Sequence, residues 1–456
     1  MEVEGSMNME YKEFKELVVA KAESMGITEF ELYYQGAESV SVKIFRDTVD
    51  EFAASKEGGV CFRCIANGKM GYASTEELSA EQAAFIVERA YDNAIVLETE
   101  EPVFLAPGGQ TYLPLERKTY DLPGTEQLLS TALQTQRELY AAAPAVVDGS
   151  STRAIAESSI IAISNSKGLD VSYDNNLFAL MAMAVVEKEG EKANDYCIKT
   201  GAMDTLDTKA ITREAAQKAL NGLDCDVAPT GSYPVVFSPK AVAGLLSVFS
   251  SVFSSEAAQK GLSRLAGKEG EAIAAACVTV VDDPFCELSP QPMPFDAEGS
   301  PTYKKNVIEA GLLKTLLYNL KTANIAGKQT TGNAAKAGYD ASIGLQPFTM
   351  YFAPGTLTEE ELLEKAGQGV YIHDLQGLHA GASPVTGDFS LQSAGFMIEN
   401  GKLGKPVKSF TVAGNFYEML QNITALSDKV ILPRPMGITT FGSPYVLVEN
   451  LSVAGK

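Results

Sequence analysis

Two histidines, six cysteines and one serine-faced helix carry most of the chemistry open to this 456-residue sequence. The histidines, His373 and His379, fall in Tyr371-Ile-His-Asp-Leu-Gln-Gly-Leu-His-Ala-Gly381. That pattern is a strand running into a glycine-punctuated loop, a frequent seat of function. Asp374, Asp388 and Ser390 follow closely, so a His–carboxylate pair or half of a metal site could assemble there. A hydrogen-bonded loop histidine is the simpler expectation. Two histidines cannot fill a three-His metal site, and any Ser-His or Cys-His engine must use one of them.

Cys61-Phe-Arg-Cys64 has the spacing of a zinc or redox motif. On a strand, however, positions three apart point to opposite faces, and no second CxxC completes a tetrahedral site. The two thiols are therefore expected to pack as small hydrophobes. Gly261-Leu-Ser-Arg-Leu-Ala-Gly267-Lys268 imitates a phosphate loop, but it has five residues between its glycines and Glu269 where Ser or Thr should meet Mg²⁺. It is set aside.

The stretch 238–256 predicts one helix, with Ser238 as its cap and Pro239 in the first position. Val242, Leu245, Leu246, Phe249, Val252 and Phe253 form an apolar stripe. Ser247, Ser250, Ser251, Ser254 and Ser255 occupy the other side, with no charge between Lys240 and Glu256. Solvated faces are normally charged, so this one suggests packing against another element or subunit; a tolerated polar face is the alternative.

The elements that must position these residues divide into three regions. Segment 1–105 reads as α+β: a helix from Tyr11, strands near 30–34 and 40–44, and a hairpin about Asn67-Gly68. Ser79-Ala-Glu-Gln82 resembles a capping box opening a second helix. A Pro- and Gly-marked linker is expected over 102–123. Segment 106–229 repeats helix-then-meander, which suggests a structural duplication. Segment 230–456 is expected to be mostly β. The predicted class is α+β, a duplicated helix-plus-antiparallel-sheet region followed by a β-rich C-terminal domain.

Composition excludes several function classes. An apolar fraction of 45% and a charged fraction of 21% describe a globular chain. Fifty-eight acids against 37 bases give a net charge of −21, which repels phosphate backbones and anionic lipid, so neither nucleic acid nor membrane is an expected partner. Residues 1–15 lack the apolar core of a secretory signal. The longest apolar run, 177–186, is half of the ~20 residues that span a bilayer. A cytoplasmic location with reduced thiols is expected.

Asp296-Ala-Glu-Gly299, Val307-Ile-Glu-Ala-Gly-Leu-Leu-Lys314, Thr322-Ala-Asn324 and Thr331-Gly-Asn333 form an ordered series. Gly387-Asp-Phe-Ser390, Ile398-Glu-Asn-Gly401, Val412-Ala-Gly-Asn415 and Leu451-Ser-Val-Ala-Gly455 continue it. This succession resembles the TldD/PmbA family, also known as the modulator of DNA gyrase family, and in particular its PmbA (TldE)-like subunit. The resemblance implies a two-subunit cytoplasmic assembly whose cleft degrades small or unfolded peptides. The TldD-type subunit of that family carries a His-Glu-x-x-x-His zinc motif on a helix and a late cysteine ligand.

Aligned on that helix, this chain has Ser247, Val248 and Val252 near the His, Glu and His positions, and no cysteine follows Cys286. The resemblance therefore implies a non-catalytic subunit with no catalytic or metal-ligating residue, no cofactor of its own, and zinc in a TldD-like partner. The partner is a TldD-like sister, a second copy of this chain, or both, with a peptide substrate in the shared cleft. Ser247, Ser250, Ser251, His379, Asp388 and Ser390 are the candidate cleft or partner contacts. The rival readings are a stand-alone hydrolase built near His379, and a non-enzymatic binder that modulates a protein client.

Overall fold

The computed structural model describes residues 9–99, 101–115 and 121–456. The first eight residues of the polar N-terminus and residues 116–120 of the expected linker lie outside them. Two similar passages build the N-terminal half. The first is α1 (Tyr11–Ser24), β1 (Phe30–Phe45), β2 (Thr48–Ala66), β3 (Lys69–Thr75) and α2 (Ala80–Val96). The second is α3 (Thr125–Ala142), β4 (Ser151–Asn165), β5 (Asp170–Lys188), β6 (Glu191–Thr200) and α4 (Thr208–Leu220). Each reads helix, three strands, helix, which is the repeated order expected from the sequence.

The two passages do not form separate sheets. β1 pairs antiparallel with β4 from Glu31 opposite Asn165 to Phe45 opposite Ser151, giving one sheet ordered β3-β2-β1-β4-β5-β6. The strands also run further than the sequence signals. Gly36 faces Gly58 in the β1–β2 pair, where a Cβ on Gly58 would lie 2.4 Å from the Gln35 carbonyl oxygen. Glycine keeps the ladder intact there but interrupts the apolar alternation that marks a strand.

The period of two sorts the sheet's side chains between its faces. Leu32 packs with Phe14, Val18 and Ile86 of α1 and α2, while Val42 and Ile44 pack with Leu128, Leu139 and Ile211 of α3 and α4. The opposite face, with Tyr33, Ile163 and Tyr173, packs on Met293, Phe295 and Phe348 of the C-terminal half.

That half begins with β7 (Gly231–Phe237), α5 (Pro239–Phe249), a 3-10 turn (Ser250–Phe253) and α6 (Ser255–Gln259). It continues through β8 (Val280–Asp282), β9 (Lys305–Glu309), β10 (Leu312–Leu313), α7 (Leu320–Ala326), β11 (Ala334–Ala335), β12 (Gly344–Leu345) and β13 (Thr349–Phe352). Next come α8 (Glu359–Ala366), β14 (Gly369–Gln376), the helical turn α9 (Leu378–Gly381), β15 (Asp388–Glu399) and β16 (Lys402–Asn415). The chain ends with α10 (Phe416–Gln421), β17 (Ile423–Leu426), β18 (Thr440–Gly442) and β19 (Val446–Ala454).

One sheet runs β16-β15-β14-β7-β19-β17, and a further β16–β19 pairing closes its first five strands into a ring. A second sheet runs β10-β9-β8-β13-β18. Helix α5 lies in the core the two sheets share, its Val242, Leu245, Leu246 and Phe249 packed with Val235, Val280, Met350 and Ile372. No helix among the described residues is long and apolar enough to cross a membrane.

The expected single helix over 238–256 is corrected. α5 stops at Phe249, and Ser254 is extended. The chain leaves the helix to bridge Leu317: the Leu317 N–H donates to the Phe253 carbonyl and the Ser255 N–H to the Leu317 carbonyl. The Ser254 hydroxyl then caps α6 by accepting from the Ala257 N–H. Serine offers its own hydrogen bonds to the backbone, so a serine-rich stretch is the point at which a helix gives way to such a bridge.

Candidate functional site

The resemblance places a metal-binding motif on α5, and its three positions hold one hydroxyl and two hydrocarbons. Ser247 is exposed and donates its hydroxyl to the Gly244 carbonyl at 2.7 Å. Val248 is half-buried against the core, and Val252 is buried. No group of three His, Cys, Asp or Glu able to hold a metal forms among the described residues. The residues present do not fit zinc, which needs three protein ligands and a base for its water.

The serine face is divided. Ser247 and Ser251 reach the surface, whereas Ser250 and Ser255 are buried, so Ser250 is no surface contact of this chain. Ser250 follows Ala243 and Leu246 at helical spacing and so lies on the buried side. Helix α9 packs beside the exposed serines: a Cβ added to Gly244 would sit 3.0 Å from Leu378 Cδ1. On its other side, Gly381 lies against the Ser390 backbone of β15. One surface therefore carries the exposed residues of α5, α9 and the start of β15, including Ser247, Ser251, His379, Asp388 and Ser390.

Proximity does not make this surface a catalytic dyad. Asp388 Oδ1 accepts from Asn415 Nδ2 at 2.8 Å, and this bond, with Thr386, holds its carboxyl below the usual range. Among the described residues, no hydrogen bond or ion pair joins either imidazole to a carboxylate.

His373 lies elsewhere, at a β-bulge. Ile372 faces Gly395 and Asp374 faces Ala394, so His373 is the extra residue of β14. A bulge re-aims side chains, and here two successive polar residues turn toward Lys240 of α5. Asp374 Oδ1 lies 3.0 Å from Lys240 Nζ, and Asp195 Oδ1 of β6 lies 3.3 Å from it. Burial pushes the His373 imidazole below the ordinary histidine value, against the pull of Asp374 and Asp195. Sequence reasoning missed Lys240 and Asp195 as neighbours of this histidine. The adjacent polar pair His373-Asp374 inside an apolar strand was the one local signal for the bulge.

The family motifs between Asp296 and Asn333 hold the architecture together. Asp296 Oδ1 accepts from the N–H groups of Glu298 and Ser300, and its Oδ2 accepts from Ala334. Glu298 in turn accepts from the Leu320 N–H at the start of α7. Asn333 Nδ2 donates to Asp282 Oδ2 at 2.7 Å, and the buried Lys305 ammonium pairs with the same oxygen. Gly332 has φ +66°, and a Cβ there would meet the Pro301 carbonyl oxygen at 2.4 Å. Buried polar groups must be satisfied, and these residues satisfy one another where the two halves meet. The CxxC is also resolved: Cys61 packs on the C-terminal side of the sheet and Cys64 on the α1–α2 side.

Comparison with known proteins agrees with this architecture. Three models match in order: PmbA/TldA metallopeptidase domain 1 over residues 30–94, the central domain over 119–223, and the C-terminal domain over 230–455. A metalloprotease of Methanothermobacter thermautotrophicus is 28% identical over 442 residues, covering 89% of this chain and 91% of the relative. A Thermotoga maritima structure described as a modulator of a DNA gyrase superposes with a TM-score of 0.87 at 29% identity, over 98% of this chain and 100% of that one. TldE from Thermococcus kodakarensis shares the fold, with a TM-score of 0.87 at 24% identity over 97% and 99% of the two chains. By the ordered match of all three domains, this chain belongs to the PmbA/TldD metallopeptidase family.

Proposed function

We propose that this chain is the non-catalytic subunit of a two-subunit zinc peptidase that acts on small or unfolded peptides. The observation that carries the reading is the side-chain chemistry of α5. Ser247, Val248 and Val252 stand where the family's metal-binding subunit is expected to hold its ligands and general base, and none can deprotonate a zinc-bound water. The helix nevertheless keeps its buried stripe, so the scaffold of the site persists without its donors.

The zinc belongs in this reading to a sister chain with an intact His-Glu-x-x-x-His helix, and the substrate lies in a cleft between the two. The surface of α5, α9 and the start of β15 is the contact that brings this chain to the cleft. It presents hydroxyls, small residues, one histidine and a single carboxylate, Asp388, which Asn415 already holds, so docking there removes little charge from water. A second copy of this chain is the alternative partner for that surface.

The test is reconstitution. The isolated chain should leave unstructured peptides intact, and adding a sister that carries the motif should give cleavage that a chelator abolishes. Cleavage by the isolated chain in the presence of chelator would defeat the proposal and redirect attention to His379.

A further inference from the structure

A cleft of about 530 Å³ opens between the outer face of the closed ring and the β6–α4 edge of the N-terminal sheet. One wall is aromatic. The Tyr371 ring lies 6.1 Å from Phe396 and 6.2 Å from Tyr445, and the His373 ring lies 6.2 Å from Phe396. Strand alternation puts the His373 imidazole on the same face as Tyr371, where Nδ1 is buried without a hydrogen-bond partner. A buried polar atom left unpaired beside a cavity calls for a partner inside that cavity.

The charges lining the cleft decide the sign of that partner. Its lysines are already neutralised: Lys240 lies between Asp374 and Asp195, while Lys199 and Lys218 both lie on Glu214, at 3.1 and 2.6 Å. Glu359, half-buried at the start of α8, pairs with no cation among the described residues and lies beside Tyr445. Burial accordingly raises its carboxyl above the ordinary value. An anion would find no free ammonium here, whereas a cation would find an unpaired carboxylate beside aromatic faces.

We infer that this cleft binds a small organic cation: a primary amine on an aromatic or branched aliphatic body, with a second N–H donor. The ammonium meets Glu359, the apolar body stacks along Tyr371 and Phe396, and a rotation of the His373 ring uncovers Nδ1 to accept from the second donor. The inference does not rest on the subunit reading, because the cleft lies apart from the exposed serines of α5.

Titration calorimetry on the full chain tests it with three related probes. Phenylalaninamide carries the ammonium, the ring and the amide donor, and it should bind. N-acetylphenylalaninamide keeps the ring and amide but loses the charge, and should bind about tenfold more weakly. N-acetylphenylalanine presents a carboxylate instead and should not bind. Glu359→Gln should bring phenylalaninamide down to the level of its neutral analogue, and His373→Leu should weaken both amides. The inference is overturned if phenylalaninamide fails to bind at millimolar concentration, or if the carboxylate probe binds as well as the amine. It is also overturned if folded Glu359→Gln binds the amine unchanged. The probe series on the unaltered chain decides the question even if a variant does not fold.

Discussion

Arg63 Nε donates to Glu31 Oε1 at 2.7 Å across directly opposed positions of β2 and β1, and both side chains are almost fully buried. The pair lies on the sheet face that meets the C-terminal half, and Asn165 Nδ2 approaches the second Glu31 oxygen at 3.4 Å. Burial works against the Arg63 charge, but Glu31, Tyr72 and Glu298 together outweigh it and hold the guanidinium proton more tightly. Removing one partner leaves the other charged and uncompensated. Arg63→Met should therefore cost about 3–5 kcal/mol, and Arg63→Met with Glu31→Leu should cost less than the single change. Urea unfolding of the three variants measures the coupling; a double variant less stable than Arg63→Met contradicts it.

Glu298 gives the fold a pH dependence. Burial, then the neighbouring Asp296 charge, pushes its carboxyl well above the usual range, with Arg63 pulling the other way. The folded chain thus holds a proton that the unfolded chain releases. Stability from this group is full below the ordinary carboxylate value and falls as pH rises toward the raised folded value. Glu298→Gln keeps an acceptor for the Leu320 N–H and removes the titration. Relative to the unaltered chain it should gain about 1 kcal/mol or more at mildly alkaline pH and little in the acid range. Denaturation midpoints measured across pH check this, and parallel pH profiles for the two proteins would reject it.

The local features of the fold were legible in the sequence, and the non-local ones were not. Asn67-Gly68 adopts positive φ at both residues, as a tight hairpin turn requires, and Asn400-Gly401 does the same. Ser79 caps α2 and Ser238 caps α5, as their sequences indicate. The joining of the two N-terminal passages through β1 and β4 pairs residues more than a hundred positions apart, and no local pattern encodes that choice. The same limit applies to the cleft. His373 was visible as a residue, but Asp195, Lys240 and Glu359 come to the cleft from three distant elements. Ser250 was misplaced because its polarity was followed rather than its helical position: it stands four residues after the buried Leu246, on the side that faces the core.

The thiols should report the two-faced sheet. Cys61, Cys64 and Cys197 are buried, whereas Cys277 is exposed. Burial raises the Cys61, Cys64 and Cys277 thiols, so exposure rather than acidity sets their order of reaction. A thiol reagent should modify Cys277 first in the native chain and reach Cys61 and Cys64 only on unfolding. Peptide mapping of the first labelled site gives the answer. Because the paired thiols face different cores, a native Cys61–Cys64 disulfide would contradict the strand geometry.

Ser247, Ser251 and Ser250 separate assembly from folding on one short stretch. Ser247 and Ser251 are exposed, so a glutamate at either keeps its charge in water and should leave the isolated chain as stable as before, within about 0.5 kcal/mol. Ser250 is buried beside Phe249 and Val252, and a glutamate there must lose hydration without a cation to pair with. It should destabilise the chain by several kcal/mol, roughly the cost of an uncompensated buried charge. If the α5–α9–β15 surface meets a sister subunit, Ser247→Glu and Ser251→Glu become buried charges only in the complex. They should weaken association about tenfold or more and lower reconstituted peptidase activity while the isolated variants melt normally. Sedimentation of the mixed subunits, read beside thermal melts of each variant alone, distinguishes the two effects. Full association and activity with both folded variants would place the interface on another face of the chain.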